Sequence, residues 1–161
     1  MNTKKKILDA ACGPRMFWFD KHHPNALYID NRKELSGFVA IRPNKTIEPD
    51  EIQDFRNMPY EDGAFKLVVW DPPHILRRNA SGKYLTRVYG VLHTDTWKED
   101  LRKGFSECWR VLAEDGVLIF KWAETDRKLK DILPLFSAKP LFGNRTTSNG
   151  RTHWLCFMKI K

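Results

Sequence analysis

Residues 65–74 read Phe-Lys-Leu-Val-Val-Trp-Asp-Pro-Pro-His, and this stretch decides which fold the chain can adopt. The apolar run 65–70 is too short for a typical helix, and its two adjacent valines favour extended backbone, so we predict a strand. Pro72 and Pro73 have no N–H and a fixed φ, so the strand must end there. The sequence therefore predicts a rigid turn that holds one carboxylate, Asp71, and one ring, His74, at the edge of a sheet.

Size and charge limit the classes of protein to which this chain can belong. Its 161 residues fit one domain with a real core, and we expect residues 1–161 to form that domain. An excess of Lys and Arg gives a net charge of +8. This balance favours an anionic partner, with nucleic acid as the leading candidate. The alternative is a basic protein that has no polyanion partner.

Cysteine and histidine positions indicate a reducing compartment and no metal centre. Cys12, Cys108 and Cys156 form no CxxC pair and leave one cysteine odd, which favours a cytoplasmic protein. The histidines have no ligand-like spacing with acids, so no metal site is predicted. No apolar run approaches the length of a membrane span, so we expect no membrane partner.

Outward from residues 65–74, predicted strands and helices alternate. Further strands are predicted at 7–10, at 26–30, in a segment ending at Asp54, and at 117–120, 140–142 and 153–158. Helices are predicted at 16–19, at 126–136 with Pro134 inside, and from a Thr96–Glu99 capping box to the Asp115-Gly116 C-cap. Residues 38–47 are predicted to form a hairpin turning at Pro43-Asn44, and residues 75–95 a loop. The alternation predicts an α/β fold with a mostly parallel sheet.

Acidic residues stand at the ends of the first four predicted strands. They are Asp9, with Cys12-Gly13 beyond it, then Asp30, Asp54 and Asp71. Ligands of open α/β sheets bind outside the carboxyl ends of the strands, so this pattern predicts a binding site there. Taken singly, each residue has an ordinary explanation as a strand-exit turn, a helix cap or a turn acid.

Four motifs, in this order, resemble class I S-adenosylmethionine-dependent methyltransferases. They are Leu8-Asp9-Ala10-Ala11-Cys12-Gly13, Tyr28-Ile29-Asp30, Gln53-Asp54-Phe55 and Asp71-Pro72-Pro73-His74. The last motif is similar to the Asp-Pro-Pro-aromatic signature of amino-methyltransferases, chiefly those acting on adenine N6. The whole chain also resembles small, single-domain methyltransferase-like proteins of phages and mobile elements. The resemblance implies a Rossmann-like fold with an antiparallel C-terminal strand, S-adenosyl-L-methionine as cofactor and S-adenosyl-L-homocysteine as product.

The resemblance also implies which residues bind the cofactor. Asp30 would accept hydrogen bonds from both ribose hydroxyls, and Asp54 with Phe55 would hold the adenine amino group. The family usually has a second glycine where this chain has Arg15, which is a candidate partner for the methionine carboxylate. The full expected set is Asp9, Ala10, Cys12, Gly13, Arg15, Asp30, Asn31, Asp54, Phe55 and Asp71.

The expected catalytic residues are Asp71, Pro72, Pro73 and His74. Asp71 and the Pro72 carbonyl would accept hydrogen bonds from the target amino group and free its lone pair for attack on the methyl group. His74 stands where the family most often has Tyr, Phe or Trp, and would stack on an extruded base in a pH-sensitive way. The alternative explanation of the motif is a structural turn.

Basic residues with interleaved tyrosines are predicted to contact a nucleic acid. Residues 74–103 carry seven basic and three acidic residues, and residues 139–161 carry five basic residues and no acid. The expected substrate-binding residues are His74, Arg77, Arg78, Lys83, Tyr84, Lys121 and Trp122. For the last two, a rim charge and a core ring are the alternatives.

The predicted reaction is methyl transfer to an exocyclic amino group of a nucleic-acid base, with adenine N6 in DNA as the leading candidate. Alternatives are a small-molecule, RNA or protein amine or amide as the acceptor, and a degenerate binding module without activity. The chain begins close to its first predicted strand and has no segment long enough for a separate target-recognition domain. We therefore expect an open cofactor pocket, weak sequence specificity, or a homodimer whose partner completes the site.

Overall fold

A computed structural model describes residues 5–78, 84–145 and 150–160. Its elements in chain order are β1 (Ile7–Asp9), β2 (Ala26–Asp30), β3 (Glu51–Ile52), β4 (Phe65–Trp70), β5 (Leu76–Arg77), α1 (Tyr84–Tyr89), β6 (Leu92–His93), α2 (Trp97–Val111), β7 (Leu112–Ala123), α3 (Leu129–Ile132) with a 3-10 turn at Leu133–Leu135, β8 (Phe142–Arg145) and β9 (Thr152–Met158). Seven strands form one sheet in the order β3-β2-β1-β4-β7-β9-β8. The first five of these are parallel, and β9 runs antiparallel to both of its neighbours. The predicted α/β fold, mostly parallel with an antiparallel C-terminal strand, is confirmed.

Most of the apolar core lies between the sheet and α2. The apolar stripe of α2 is buried through Leu101, Phe105 and Cys108. The ring of Phe105 stacks on Phe136, with 4.3 Å between centroids, and Trp70 packs on Phe120 at 5.2 Å. Phe136 also lies 5.9 Å from the Trp70 ring, so this buried aromatic cluster links α2 to the end of β4.

The other face of β1 and β2 is covered by residues 10–25 without a helix. Successive strand residues point to opposite faces, so Ala26 and Tyr28 turn away from α2 and pack with Cys12 and Trp18. The helix predicted at 16–19 is wrong, since these residues form turns. The indole of Trp18 donates to Asp9 Oδ2 at 2.7 Å, which draws this segment onto the strand ends.

The predicted hairpin at 38–47 is wrong, because these residues do not form two paired strands. One antiparallel bridge joins Glu34 and Ile47, with reciprocal hydrogen bonds of 2.9 Å, and turns fill the space between them. Gly37 has φ of +89°, which strand residues do not adopt, and its N–H donates to the Pro43 carbonyl. Residues 31–50 therefore form a long loop beside β2.

The predicted loop at 75–95 contains short regular elements. β5 and β6 pair in parallel, and α1 lies between them in the chain. Each of the three elements buries one apolar side chain, namely Leu76, Val88 and Leu92. Residues 79–83, including the predicted substrate contact Lys83, lie outside the described residues.

Several predicted element ends also shift. The predicted C-cap at Asp115-Gly116 is wrong, since α2 ends at Val111 and β7 begins at Leu112, and the strand predicted at 140–142 occurs at Phe142–Arg145. β3 stops at Ile52, two residues before Asp54. α2 begins at Trp97 without the predicted capping box, since the Thr96 hydroxyl donates to Asp100 Oδ2 at 2.7 Å. The helix predicted at 126–136 shortens to α3 followed by the 3-10 turn that contains Pro134, and the helical segment ends at Leu135, next to that proline.

Within the described ranges, no helix has the length and apolar character needed to cross a membrane.

Candidate active site at the carboxyl ends of the strands

A cavity of about 750 Å³ lies along the carboxyl ends of β1, β2, β4 and β7. This volume falls within the range of small-molecule sites. Most of the site residues predicted from the sequence line it: Ala10, Cys12, Gly13, Asp30, Asn31, Phe55, Asp71, Pro72, Pro73, His74, Arg77, Arg78 and Lys121. Residues more than a hundred positions apart thus meet in one cavity, because parallel strands bring their ends to the same edge of the sheet.

The turn after β1 is held to the end of β2. The Gly13 N–H donates to Asp30 Oδ2 at 3.0 Å, and Gly13 has φ of +47° with open space where a side chain would begin. Asp30 is buried, and its Oδ1 accepts two hydrogen bonds from Arg32, from the backbone N at 3.0 Å and from Nε at 3.2 Å. A carboxylate offers about four acceptor positions, so Asp30 keeps capacity for a ligand.

The Asp71 carboxylate forms an ion pair with Lys121 at the end of β7. Lys121 Nζ lies 2.6 Å from Asp71 Oδ2. The Asp71 side chain is only 17% exposed and the Lys121 side chain only 23% exposed. Among the described residues, no group donates to Asp71 Oδ1. Burial raises the pKa of Asp71, and the nearby Lys121 ammonium opposes this increase. The pair therefore presents a lysine-anchored carboxylate with one oxygen available to a ligand.

His74 forms part of an aromatic wall beside Asp71. Its ring centroid lies 6.2 Å from that of Tyr89 and 6.5 Å from that of Trp122. Burial lowers the pKa of His74, so the neutral imidazole predominates at neutral pH. Pro73 continues this wall toward Gly90, where a Cβ would lie 3.3 Å from the Pro73 ring. The wall is compatible with a flat ligand.

Asp9 lies behind the cavity and supports its floor. It is fully buried, and it accepts hydrogen bonds from the Trp18 indole and, at 3.3 Å, from the Ala11 N–H. Burial raises the pKa of Asp9 to about 7, and the negative charges of Asp71 and Asp30 add to the increase. Asp9 thus fixes the β1 turn without facing the cavity.

Three other predicted residues also lie outside the main cavity. Arg15 donates to the Glu48 carbonyl and to Asp50 Oδ1, at 2.7 and 3.0 Å, and its guanidinium stacks on Tyr28. Asp54 is paired with Arg56, which holds its pKa below the usual value although burial acts in the opposite direction. Trp122 is completely buried, and its indole donates to the Arg127 carbonyl.

Tyr84 also lies outside the main cavity, where its hydroxyl accepts a hydrogen bond from Lys45 at 3.4 Å.

Arg15 adopts a backbone conformation that is unusual for a residue with a side chain. Its φ is +53°, in the left-handed region that normally favours glycine. The hydrogen bonds of its buried guanidinium offset the backbone strain of this conformation. The turn therefore keeps a glycine-like path with a different residue.

Sequence reasoning missed two arginines that organise the cavity. Arg32 bridges Asp30 and the Arg87 carbonyl of α1, the latter at 3.0 Å. Arg56 joins Asp54 to Asp100 of α2, with 2.9 Å between Nη1 and Asp100 Oδ1. A signal for both was present in the sequence, since each arginine follows by two residues an aspartate that was predicted to end a strand.

Comparison with known proteins gives the fold. No protein-family model and no curated protein matches this chain. A 1,6-didemethyltoxoflavin N1-methyltransferase of Burkholderia thailandensis, solved with that compound and S-adenosylhomocysteine, has a TM-score of 0.55 and 12% identity over 96% of this chain and 71% of its own. The PH0226 protein of Pyrococcus horikoshii has a TM-score of 0.53 and 15% identity, covering 100% and 84%. A SAM-dependent methyltransferase of Methanosarcina mazei has a TM-score of 0.50 and 10% identity, covering 99% and 94%.

The fold is that of the Rossmann-like methyltransferases. In this methyltransferase fold, the two connections that flank β2 contain no helix, and residues 10–25 and 31–50 run as turns. Their side chains, among them Phe17 and Arg32, line the cavity directly. Both connections that flank β2 are therefore loops, and they form part of the cavity wall.

Proposed function

We propose that this protein is an S-adenosylmethionine-dependent methyltransferase that methylates an exocyclic amino group of a nucleic-acid base, adenine N6 in DNA being the first candidate. One observation carries the proposal: Asp30, Gly13 and the Asp71-Pro72-Pro73-His74 turn line a single cavity in a methyltransferase fold. One half of this cavity has groups suited to a nucleoside cofactor, and the other has groups suited to an amine.

The half around β1 and β2 fits the cofactor. Asp30 retains acceptor capacity for ribose hydroxyls, and the open space at Gly13 lets a ligand approach the backbone. Phe55 lines the same half, and its ring is held edge-on to Trp70 at 5.6 Å. When bound here, the cofactor supplies an electrophilic sulfonium methyl group.

The half around β4 and β7 fits an aromatic amine. The target NH₂ would donate one hydrogen to Asp71 Oδ1 and the other to the Pro72 carbonyl, while His74 contacts the ring face. Two acceptors favour the pyramidal nitrogen, whose lone pair then forms the new N–C bond as the methyl–sulfur bond breaks. The methylated nitrogen is acidic, so a proton leaves readily by way of the Asp71–Lys121 pair.

The charge distribution supports a nucleic-acid substrate over a small neutral amine. The chain carries a net charge of +8, and Arg77 and Arg78 are exposed where they line the cavity. Cations at the rim of a base-sized site suit phosphate contacts that position a strand. A base must leave its stack to reach Asp71, so single-stranded or unpaired DNA is the expected substrate.

The test is transfer of a labelled methyl group from S-adenosylmethionine to single-stranded DNA and RNA, followed by nucleoside analysis. Label in N6-methyladenine from DNA is the expected result. Asp71→Ala should lower kcat by about 10²–10³-fold, as removal of a positioned electrostatic group does elsewhere. Absence of any methylated base with the wild-type protein, or equal activity in Asp71→Ala, would refute the proposal.

A second variant separates the two halves of the cavity. Asp30→Ala should weaken cofactor binding by about tenfold or more, since a hydrogen bond to a charged group contributes about 1.5–3 kcal/mol. Asp71→Ala should leave that affinity close to wild type, and calorimetric titration measures both. Equal losses in the two variants would contradict this division.

A further inference from the structure

A second cavity, of about 470 Å³, adjoins the first on the side of the 31–50 loop. The two cavities share Gly13, Pro14 and Met16, so they meet at the turn that follows β1. Its lining includes Gly13 and Arg15 from the expected cofactor set, whereas its remaining residues have no role in the proposed reaction.

The lining of the second cavity is strongly basic. It contains four cationic side chains, Arg15, Lys21, Arg42 and Lys45, together with His22, and one carboxylate, Glu48. Arg15 is paired with Asp50, so its charge is compensated. Lys21 and Arg42 are exposed and pair with no carboxylate in the described part of the chain. Uncompensated cations in a concave site attract anions more strongly than the same charges on a flat surface.

Lys45 connects this second cavity to the acceptor half of the first. Its ammonium group lies 5.9 Å from the ring centroids of both Tyr84 and Tyr89. Tyr89 in turn lines the first cavity and lies 6.2 Å from His74. His74, Tyr89 and Lys45 therefore connect the Asp71 turn to the second cavity, which Lys21 and Arg42 also line.

We propose that the second cavity binds the phosphodiester group of the nucleic-acid strand next to the target base. This inference rests on the proposed function and names the phosphate site of that substrate. The Lys21 ammonium and the planar Arg42 guanidinium contact the phosphate oxygens. Lys45 and the tyrosines contact the part of the strand that leads to the first cavity. Aromatic rings beside cations are the combination with which proteins bind single strands.

The experiment compares two double variants that each remove two positive charges. Lys21→Ala/Arg42→Ala changes the second cavity. Lys66→Ala/Lys130→Ala is the matched control, since both lysines are exposed and line neither cavity. Fluorescence anisotropy with a labelled single-stranded DNA oligonucleotide, measured from low to high salt with S-adenosylhomocysteine present, gives the affinity and its salt slope.

The cavity variant should bind the oligonucleotide more weakly than wild type, and its salt slope should fall by roughly 0.7 for each phosphate that the variant no longer neutralises. The control should keep most of the affinity. Equal affinity and slope in wild type and the cavity variant would overturn the proposal, as would an equal weakening in both variants. Competition by poly-glutamate as effective as competition by unlabelled DNA would also overturn it, because the cavity would then accept anions in general.

Two further measurements keep the result unambiguous. Lys21→Gln/Arg42→Gln replaces the alanine variant if circular dichroism shows that the latter is not folded. Anisotropy does not require turnover, so this test is independent of the methyl-transfer assay. Salt-dependent binding that is weakened only in the cavity variant supports the phosphate site even if the wild-type protein methylates no base, a result that would refute only the proposed function.

Discussion

At the scale of single residues, Lys121 controls the charge state of the carboxylate that the proposed reaction uses. Burial of Asp71 favours its neutral form, and the Lys121 ammonium 2.6 Å away favours the ionised form. Only the ionised carboxylate offers both oxygens as acceptors, one for the lysine and one for the target amine. Lys121 is thus a positioning residue, which acts through Asp71.

Lys121→Met should therefore raise the pKa of Asp71 and move the acid limb of the pH–rate profile to higher pH. Methionine places an uncharged side chain of similar length beside Phe17 and Trp154, whose ring centroids lie 5.6 and 5.7 Å from the Lys121 Nζ. The pH dependence of kcat/KM measures the shift, and Lys121→Arg, which retains the charge, should restore most of it. An acid limb that does not move in Lys121→Met would contradict this role.

Asp9 gives a second prediction at this scale, on stability. Its pKa is raised from 3.8 to about 7, so the folded protein binds a proton that the unfolded chain has already released in this pH range. The free energy of unfolding should therefore decrease as pH rises from about 4 to 7, by at most about 1.4 kcal/mol per pH unit from this group. Asp9→Asn cannot ionise and should lose this contribution.

Urea denaturation of wild type and Asp9→Asn at several pH values tests the sign. The difference between them should shift in favour of the variant as pH rises through this window, because the other titrating groups are common to both. Asp131→Asn, which changes an exposed carboxylate on α3, should follow the wild-type curve. Parallel curves for wild type and Asp9→Asn would exclude the raised pKa.

At the scale of elements, α2 approaches the strand ends closely at Gly104. A Cβ built there would overlap the Trp70 ring and lie 2.7 Å from the Phe55 ring. Trp70 is completely buried, so it has little room to move. The position thus sets the distance between α2 and the cavity wall that Phe55 provides.

Gly104→Ala should destabilise the protein by about 1–3 kcal/mol, the usual cost of overpacking, although alanine alone favours a helix. It should also weaken cofactor binding by displacing Phe55. Ser106→Ala, at an exposed position of the same helix, is the control and should be neutral or slightly stabilising. Denaturant unfolding and calorimetry measure the two effects. A variant as stable as wild type would show that α2 can shift without cost.

The elements also show what could be predicted from the sequence. Strands with dense apolar runs, such as 26–30 and 65–70, occur at the predicted positions, because burial on both faces leaves them no alternative. The turns at 16–19 and the elements within 75–95 were not predicted, because long-range contacts decide them. The Trp18–Asp9 hydrogen bond and the pairing of Leu76 with Leu92 have no local pattern.

At the scale of the whole molecule, the cavity depends on sheet order. Four strands are adjacent in the order β2-β1-β4-β7, and at their carboxyl ends lie Asp30, the β1 turn, Asp71 and Lys121. The positions of these residues after predicted strands were sufficient to predict that they share one site. The cavity's arginines were harder to foresee. Arg32 and Arg56 engage the aspartates that the sequence assigned to a ligand, and only the folded chain shows this competition. The basic second cavity likewise combines residues from two loops with no common motif.

A crystal structure with bound S-adenosylhomocysteine tests the central claim most directly. The ligand should occupy the cavity of about 750 Å³, with its ribose at Asp30 and its sulfur toward Asp71. A ligand bound elsewhere, or bound with its sulfur turned away from Asp71, would contradict the assignment of the two halves of the site.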